Sequence, residues 1–422
     1  MPPLPEVRQY LSSGGTRVYR IACKVLGELT GRVYLVLGAG PATLVDTGSG
    51  QGESTRNILD GFNAVRREFG ESIRIEQVKR IIITHGHLDH HGGLGELAAM
   101  AADAEVYVHP LDGRLITAHE ESVALTRLGI RGLLVRSGVP ETVGRELLKQ
   151  PWVVSDAAAS PPVEVKPLDG NEIDGLRTIH TPGHSPGHVC LLVDDLLLCG
   201  DHILLRTIPQ LWPESLRPYK GLGHYLESLE LIRGIPGIRL ALPGHEPVIE
   251  DVYRRIDEIA RSQRRRNEKV LDTLAAAERP MTVWEVARTV FQQATGYYAS
   301  LAFMDAAARV EYLHQRGRLC VVNLAEIEDE PPTAWRYRIY LVEKHDSGCC
   351  HTSFPEDFAD CFFRFAYPFG EDFGSFDGYE VSFAFRCHRS GEECFSASRW
   401  TVEKYAFRRF YSQPSEYFRG FY

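Results

Sequence analysis

The sequence predicts an α/β fold, and three features of the chain predict it. Short β-branched and aromatic runs alternate with segments whose apolar residues recur at helical spacing. The polar clusters follow apolar runs, as side chains do where buried strands end. The densest cluster, Thr84-His85-Gly86-His87-Leu88-Asp89-His90-His91-Gly92-Gly93, follows Ile81-Ile82-Ile83 and places four imidazoles and a carboxylate in one turn.

Taken in order, Val18 to Ile21, Arg32 to Leu37 and Ala42 to Val45 read as successive strands separated by glycine-rich turns, and the last ends in Asp46-Thr47-Gly48. Ser54 is placed to cap a helix carrying Ile58, Phe62, Val65 and Phe69 at helical intervals, and the strand before the histidine turn follows it. The alternation continues through a helix at Glu96 to Ala102, a strand at Glu105 to Val108 and an apolar run at Leu191 to Leu198, read as one strand. Between about 110 and 156 the chain is helical, an insertion suited either to capping a pocket or to simple packing. One long helix is expected from Asp251 to about Ala277, with Arg261, Arg264, Arg265, Arg266 and Lys269 along it. Thr282-Val283-Trp284-Glu285 is a capping box, and a further helix from about Ala299 precedes the strand Leu319 to Val322. Three helices and a strand in this span look like a winged-helix domain. The expected division is therefore 1–250, 251–325 and a tail from 326 to 422.

Composition narrows the class. At 422 residues the chain is long enough for two or three units, and 44% hydrophobic with 24% charged residues is ordinary for a globular protein. A net charge of −9 offers no general attraction to nucleic acid or to an anionic membrane. Neither a signal-like start nor a membrane-length apolar run is seen, so a cytoplasmic protein without a membrane partner is expected. Nine cysteines without a CxxC pair argue against a disulfide framework or a zinc ribbon. From Pro331 onward the balance changes: 25 of the 42 aromatics fall there, while leucine and isoleucine occur once each, at Leu341 and Ile339. Rings without small branched residues between them pack poorly, so no fold is assigned to this tail. Cys349, Cys350, His351, Cys387 and His388 match no common metal spacing.

In the histidine turn, His85 and His87 are spaced to close on one ion. Asp89 and His90 suit a second ion about 3.5–4 Å away, the usual separation in two-metal hydrolases. Three further clusters end apolar runs: His180-Thr181-Pro182-Gly183-His184-Ser185-Pro186-Gly187-His188, Cys199-Gly200-Asp201-His202, and Leu242-Pro243-Gly244-His245-Glu246. With Val45-Asp46-Thr47-Gly48 they make five ordered motifs, and from about Val18 to Glu250 the chain resembles the metallo-β-lactamase superfamily. The resemblance implies an αββα sandwich, two mixed sheets face to face with helices outside and metals at one edge. It implies that His85, His87 and His184 hold one metal, that Asp89, His90 and His245 hold the other, and that Asp201 bridges both. Asp46 then supports the ligands from behind, and His188 braces the loop of His184. Neutral imidazoles and carboxylates suit two divalent ions, zinc first, with iron or manganese as alternatives. His91 is expected in a loop or pocket wall, and Cys199 is expected to pack. For His202 a packed, hydrogen-bonded ring is the first reading and a substrate contact the alternative, and for Tyr225 substrate contact and packing stand level.

A water shared by two cations ionises near neutrality, so the expected chemistry is attack of a bridging hydroxide on an electrophilic carbonyl, with Asp89 and Asp201 as the catalytic carboxylates. Asp201 and His245 stand too close together for the extra domain of the large RNA-processing nucleases. What remains is similar to the glyoxalase II branch, which cleaves thioesters, and to beta-lactamase-like protein 2, which joins the sandwich to a winged helix and cuts single-stranded RNA. A small acyl thioester or ester is the leading expected substrate, and single-stranded RNA tracked along the Arg261 to Lys269 face is the alternative. Either would suit a monomer or a homo-oligomer.

Overall fold

The computed structural model describes residues 6–27, 29–149, 163–277, 279–294, 296–323 and 337–341. Seven strands form the first sheet: β1 (Val7–Leu11), β2 (Arg17–Leu26), β3 (Leu29–Gly38), β4 (Gly40–Val45), β5 (Arg80–Ile83), β6 (Glu105–Val108) and β7 (Val165–Pro167), in that spatial order. The first four pair antiparallel, whereas β4 to β7 run parallel. A second sheet is ordered β12-β11-β10-β9-β8, from β8 (Glu172–Ile173), β9 (Leu176–His180), β10 (Val189–Val193), β11 (Leu196–Gly200) and β12 (Leu240–Pro243). The apolar run expected as one strand is thus two. Asp194, with φ of 52°, turns the chain between β10 and β11, where aspartate tolerates the left-handed conformation.

Side-chain alternation builds the layers. On β5, Ile82 packs inward with Val36 and Val45 against Leu191, Leu198 and Leu242 of the second sheet. Its neighbours Ile81 and Ile83 point outward, onto Ile58, Phe62 and Val65 of α1 (Ser54–Phe69). The second sheet behaves alike: Leu197 and Cys199 face outward. Two helices cover that face, α7 (Leu222–Arg233) through Tyr225 and Leu229 and α8 (Val252–Ala277) through Ile256. These are two sheets face to face with helices on both outer faces. Because every residue of β5 is buried and both of its faces are covered, truncating Ile82 to alanine would cost about 2–5 kcal/mol.

Between β5 and β6 lie α2 (Leu88–His91) and α3 (Leu94–Met100), and the insertion after β6 consists of α4 (Pro110–Thr117), α5 (His119–Arg136) and α6 (Glu141–Leu147). Ile130, Leu133, Leu134 and Leu147 of α5 and α6 share a core with α8, α9 (Val283–Val290) and α10 (Gly296–Gln315). The capping box forms as expected: Glu285 N–H donates to Thr282 Oγ1 (3.1 Å) and Thr282 N–H donates to Glu285 Oε2 (2.7 Å). Ser54 does not cap α1. That position belongs to Glu53, and the Ser54 hydroxyl accepts from Ser49 N–H at 3.1 Å.

A third sheet is ordered β13-β15-β14, with β13 (Met281–Thr282), β14 (Leu319–Asn323) and β15 (Tyr337–Leu341). Its central strand falls within the stretch expected to be an unassigned tail, so that stretch begins with a paired strand. The described residues belong to one compact unit, Met1–Glu343. The Cys349 to His388 cluster lies outside the described residues. Among the described residues no helix is long and apolar enough to cross a membrane.

Candidate metal centre

Four turns that leave strands of the two sheets meet at one edge of the sandwich. β5 delivers Thr84 to His91, the connection from β9 to β10 delivers His184 and His188, β11 ends at Gly200-Asp201, and β12 ends at Gly244-His245. The seven expected ligand residues are brought together in three overlapping sets: His85 with His87 and His184, His85 with His90 and Asp201, and Asp89 with His90 and His245. Within each set the donor atoms lie inside 4.8 Å of one another. His85 Nε2 is 3.1 Å from His87 Nδ1, and His245 Nε2 is 3.1 Å from Asp89 Oδ2. Asp201 stands between the groups, its oxygens 3.5 Å from His90 Nε2, 3.7 Å from His184 Nε2 and 3.6 Å from His245 Nε2. Gly244 makes this convergence sterically feasible, since a Cβ there would sit 2.6 Å from the His90 ring and 2.8 Å from Asp201 Oδ1.

Three of the histidines are aimed by a bond on the far side of the ring. Thr30 C=O lies 3.0 Å from His245 Nδ1, Gln210 C=O lies 3.1 Å from His184 Nδ1, and Asp46 Oδ2 lies 2.8 Å from His90 Nδ1. Asp46 adopts a φ of 62° at the tip of β4 and accepts from both the backbone N–H (2.8 Å) and the hydroxyl (2.9 Å) of Thr84. That residue is therefore a rigid post behind the His90 side of the cluster. His188 accepts from Asp201 N–H at 3.1 Å, while its Nδ1 lies 2.8 Å from the Thr181 hydroxyl. It fixes the turn of Asp201 as well as its own loop.

The electrostatics divide the cluster in two. Burial pushes His85, His87 and His184 below the ordinary imidazole range, with neighbouring cationic groups adding to the effect, so these rings are neutral and offer lone pairs. Burial acts on His90 and His245 as well, but the carboxylates of Asp201, Asp46 and Asp89 outweigh it, raising His90 well above its usual value and His245 to about 9. Three buried atoms at the centre have no hydrogen-bond partner: His90 Nε2, His184 Nε2 and Asp201 Oδ1. Buried polar atoms are normally satisfied. Nitrogen and carboxylate donors left open toward a common point are the donor set of a divalent-ion site, so these residues fit a pair of such ions.

The candidate substrate contacts are placed differently. Tyr225 is fully buried and its hydroxyl donates to His202 C=O at 3.0 Å, while the equally buried His202 ring packs edge-on against it. Both are packing residues. His91 is buried behind the turn near the His119 ring, and Cys199 packs with its thiol donating to Ile203 C=O.

One positioning residue was not visible in the sequence. Asp112, fully buried on α4, accepts from Gly86 N–H (2.8 Å), Ser185 Oγ (2.6 Å) and Gly187 N–H (2.7 Å). It ties the turn of His85 and His87 to the loop of His184, as Asp46 does on the other side. The only local hint is an aspartate two residues after Pro110 at the start of a helix, which a capping role would explain equally well. The insertion thus reaches the metal centre through the carboxylate of Asp112, with His119 and Leu115 packed on the histidine turn beside it.

Comparison with known proteins agrees with this geometry. Residues 26–271 match the model of the Metallo-beta-lactamase superfamily. A Passalora fulva protein named atrochrysone carboxyl ACP thioesterase is 24% identical over 323 residues, covering 73% of this chain and 78% of its own. The Beta-lactamase-like protein 2 homolog of Drosophila melanogaster is 24% identical over 320 residues, 71% of this chain and 94% of that protein. Among solved structures, a metallo-beta-lactamase family protein from Thermus thermophilus superposes with a TM-score of 0.58 at 26% identity, over 77% of this chain and 98% of that one.

Proposed function

The chain belongs to the metallo-beta-lactamase superfamily of hydrolases, and on that premise we propose that it is a dinuclear metal-dependent hydrolase of a thioester or ester. The observation that carries this reading is the set of open donor atoms, His90 Nε2, His184 Nε2 and Asp201 Oδ1, buried among the other ligand residues. Two divalent ions, zinc first with iron or manganese as alternatives, supply a water acidic enough to ionise near neutrality and polarise a carbonyl oxygen. His85, His87 and His184 would hold the first ion, Asp89, His90 and His245 the second, and Asp201 would serve both. Asp46, His188 and Asp112 keep these side chains in register. Asp89 would relay the proton released during attack to the leaving thiolate or alkoxide. A relative named as a thioesterase favours an acyl substrate.

The helices α8 to α10 with the three-stranded sheet are assigned as a winged-helix-like module beginning near residue 251. A second reading, cleavage of single-stranded RNA, draws on the exposure of Arg261, Arg264, Arg265 and Lys269 along α8 and on the beta-lactamase-like protein 2 relative. Elemental analysis followed by parallel assays on acyl thioesters and on single-stranded RNA tests both. Two ions per chain with thioester turnover lost in Asp89→Ala is the expected result. RNA cleavage alone would replace the first reading with the second, and protein that retains no metal would reject both.

A further inference from the structure

The loop from Leu205 to Gly221 wraps the His184 side of the metal centre and is held there by its backbone. Gln210 C=O meets His184 Nδ1, Lys220 forms a parallel bridge with Gly183, and Gly221 N–H donates to Gly183 C=O at 3.0 Å. Lys220 is therefore fixed one residue away from a metal ligand. It is only 7% exposed, and its ammonium lies 4.1 Å from the centre of the Trp212 ring.

Among the described residues Lys220 has no carboxylate within ion-pair distance. Arg217, half-buried three residues earlier, has none either. The nearest candidate is Asp112, whose charge is felt by both cations, but its oxygens already accept from Gly86, Ser185 and Gly187. A buried ammonium and a half-buried guanidinium are thus held three residues apart on one loop, and among the described residues no carboxylate pairs with either. Burying an unpaired charge is costly, and folded chains normally pair or neutralise it. Burial, with Arg217 adding to it, lowers Lys220 to about 7, a cost that a bound anion would remove. Because Gly183 immediately precedes His184, an anion held at Lys220 would lie beside the cluster itself.

We propose that Lys220, seconded by Arg217, anchors an oxyanion of the substrate beside the metal centre and makes this protein selective for substrates that carry one. This rests on the hydrolase reading above. The shared chemistry is a carboxylate or phosphate presenting oxygens to an ammonium and a guanidinium. The first would be carried on the acyl group, the second on the thiol carrier.

The test uses the full metal-loaded chain and three thioesters: butyryl-N-acetylcysteamine, which is neutral, succinyl-N-acetylcysteamine, which adds an acyl carboxylate, and butyryl-coenzyme A, which adds carrier phosphates. Wild-type kcat/KM should be at least tenfold higher for one anionic substrate than for the neutral one, and which one identifies the source of the anion. Lys220→Met should abolish that preference through KM with kcat little changed. Arg217→Met should reduce it less, and Lys220→Arg should restore most of it. No preference in the wild type, or a loss in Lys220→Met equal for all three substrates, would overturn the anchor while leaving the hydrolase intact. If none of these thioesters or the corresponding esters is turned over, the hydrolase reading fails, and calorimetric titration with succinate and with inorganic phosphate decides the anchor. Binding weakened at least tenfold in Lys220→Met supports it, and unchanged binding overturns it.

Discussion

Two clusters of buried polar side chains in this protein look alike by burial and differ in how they are satisfied. In the helical region, Arg309 is almost fully buried and all five of its N–H groups are used. Nε and Nη2 donate to Asp305, Nη1 to Asn267 Oδ1 and Gln263 C=O, and Nη2 also to Gln263 Oε1, at 2.5 to 3.2 Å. At the metal centre the same degree of burial leaves His90 Nε2, His184 Nε2 and Asp201 Oδ1 open. A closed network of this kind serves to join α8 to α10. In the open one the free atoms converge with the other expected ligands on a common point, and since His91 and His202 also carry unpartnered ring nitrogens, it is this convergence that separates the two clusters more sharply than burial does.

The strongest way to break the comparison is at Asp201. If the open cluster exists to hold ions, Asp201→Ala should lower turnover of an acyl thioester by about a thousandfold or more and reduce the metal content of purified protein below that of the wild type. Arg309→Met is the counterpart in the closed cluster. It leaves the Gln263 and Asn267 acceptors open and Asp305 with only Arg266, 3.8 Å away, so it should cost about 1–3 kcal/mol in urea denaturation with metal content unchanged. If the two variants exchanged these effects, the distinction between the clusters would be lost.

Asp112 sharpens the contrast, because it is fully satisfied yet sits at the open cluster. Asp112→Asn keeps its size but loses one acceptor oxygen for Gly86, Ser185 or Gly187. Turnover should fall about 10- to 100-fold, with both ions retained at high metal concentration and a weaker apparent affinity in competition with a chelator. A drop in melting temperature with normal turnover would instead make Asp112 a scaffold residue alone.

These residues also mark how far the sequence could be read. The polar clusters stood out because each follows an apolar run, and side chains at strand ends converge in a fold with this layering; the choice of seven expected ligands within them came from the resemblance to the superfamily. At His202 and Tyr225 the sequence left a choice between packing and substrate contact. Adjacency of His202 to Asp201 in sequence says nothing about which way a side chain turns, and the two rings lie against each other between α7 and the second sheet. Asp112 and Lys220 were illegible for the opposite reason. Neither lies in a periodic pattern or a motif, and their roles arise only when a helical insertion and a loop fold back over turns far away in the chain. The β10–β11 hairpin was read as one strand because its apolar residues continue almost without a break through Asp194 and Asp195.

Glu311 tests the boundary between the two clusters with the smallest expected effect. From α10 its carboxylate accepts from Ser215 N–H (2.8 Å) and Ser215 Oγ (3.0 Å), holding the loop that carries Lys220 against the helical region. Burial, with a contribution from Glu214, raises Glu311 to about 7, even though the Ser215 bonds favour the charged form. Since the folded-state value exceeds the unfolded one, the folded chain holds the proton more tightly. That stabilising contribution is complete below about pH 4.5 and is lost as pH rises through about 7. Glu311→Gln fixes the neutral state. In paired urea titrations, wild type should lose about 2 kcal/mol relative to the variant between pH 4.5 and pH 8. A constant offset across that range would mean that the latch is ionised throughout, and that the loop bearing Lys220 is held by a charge the fold has fully accommodated, as it accommodates Arg309.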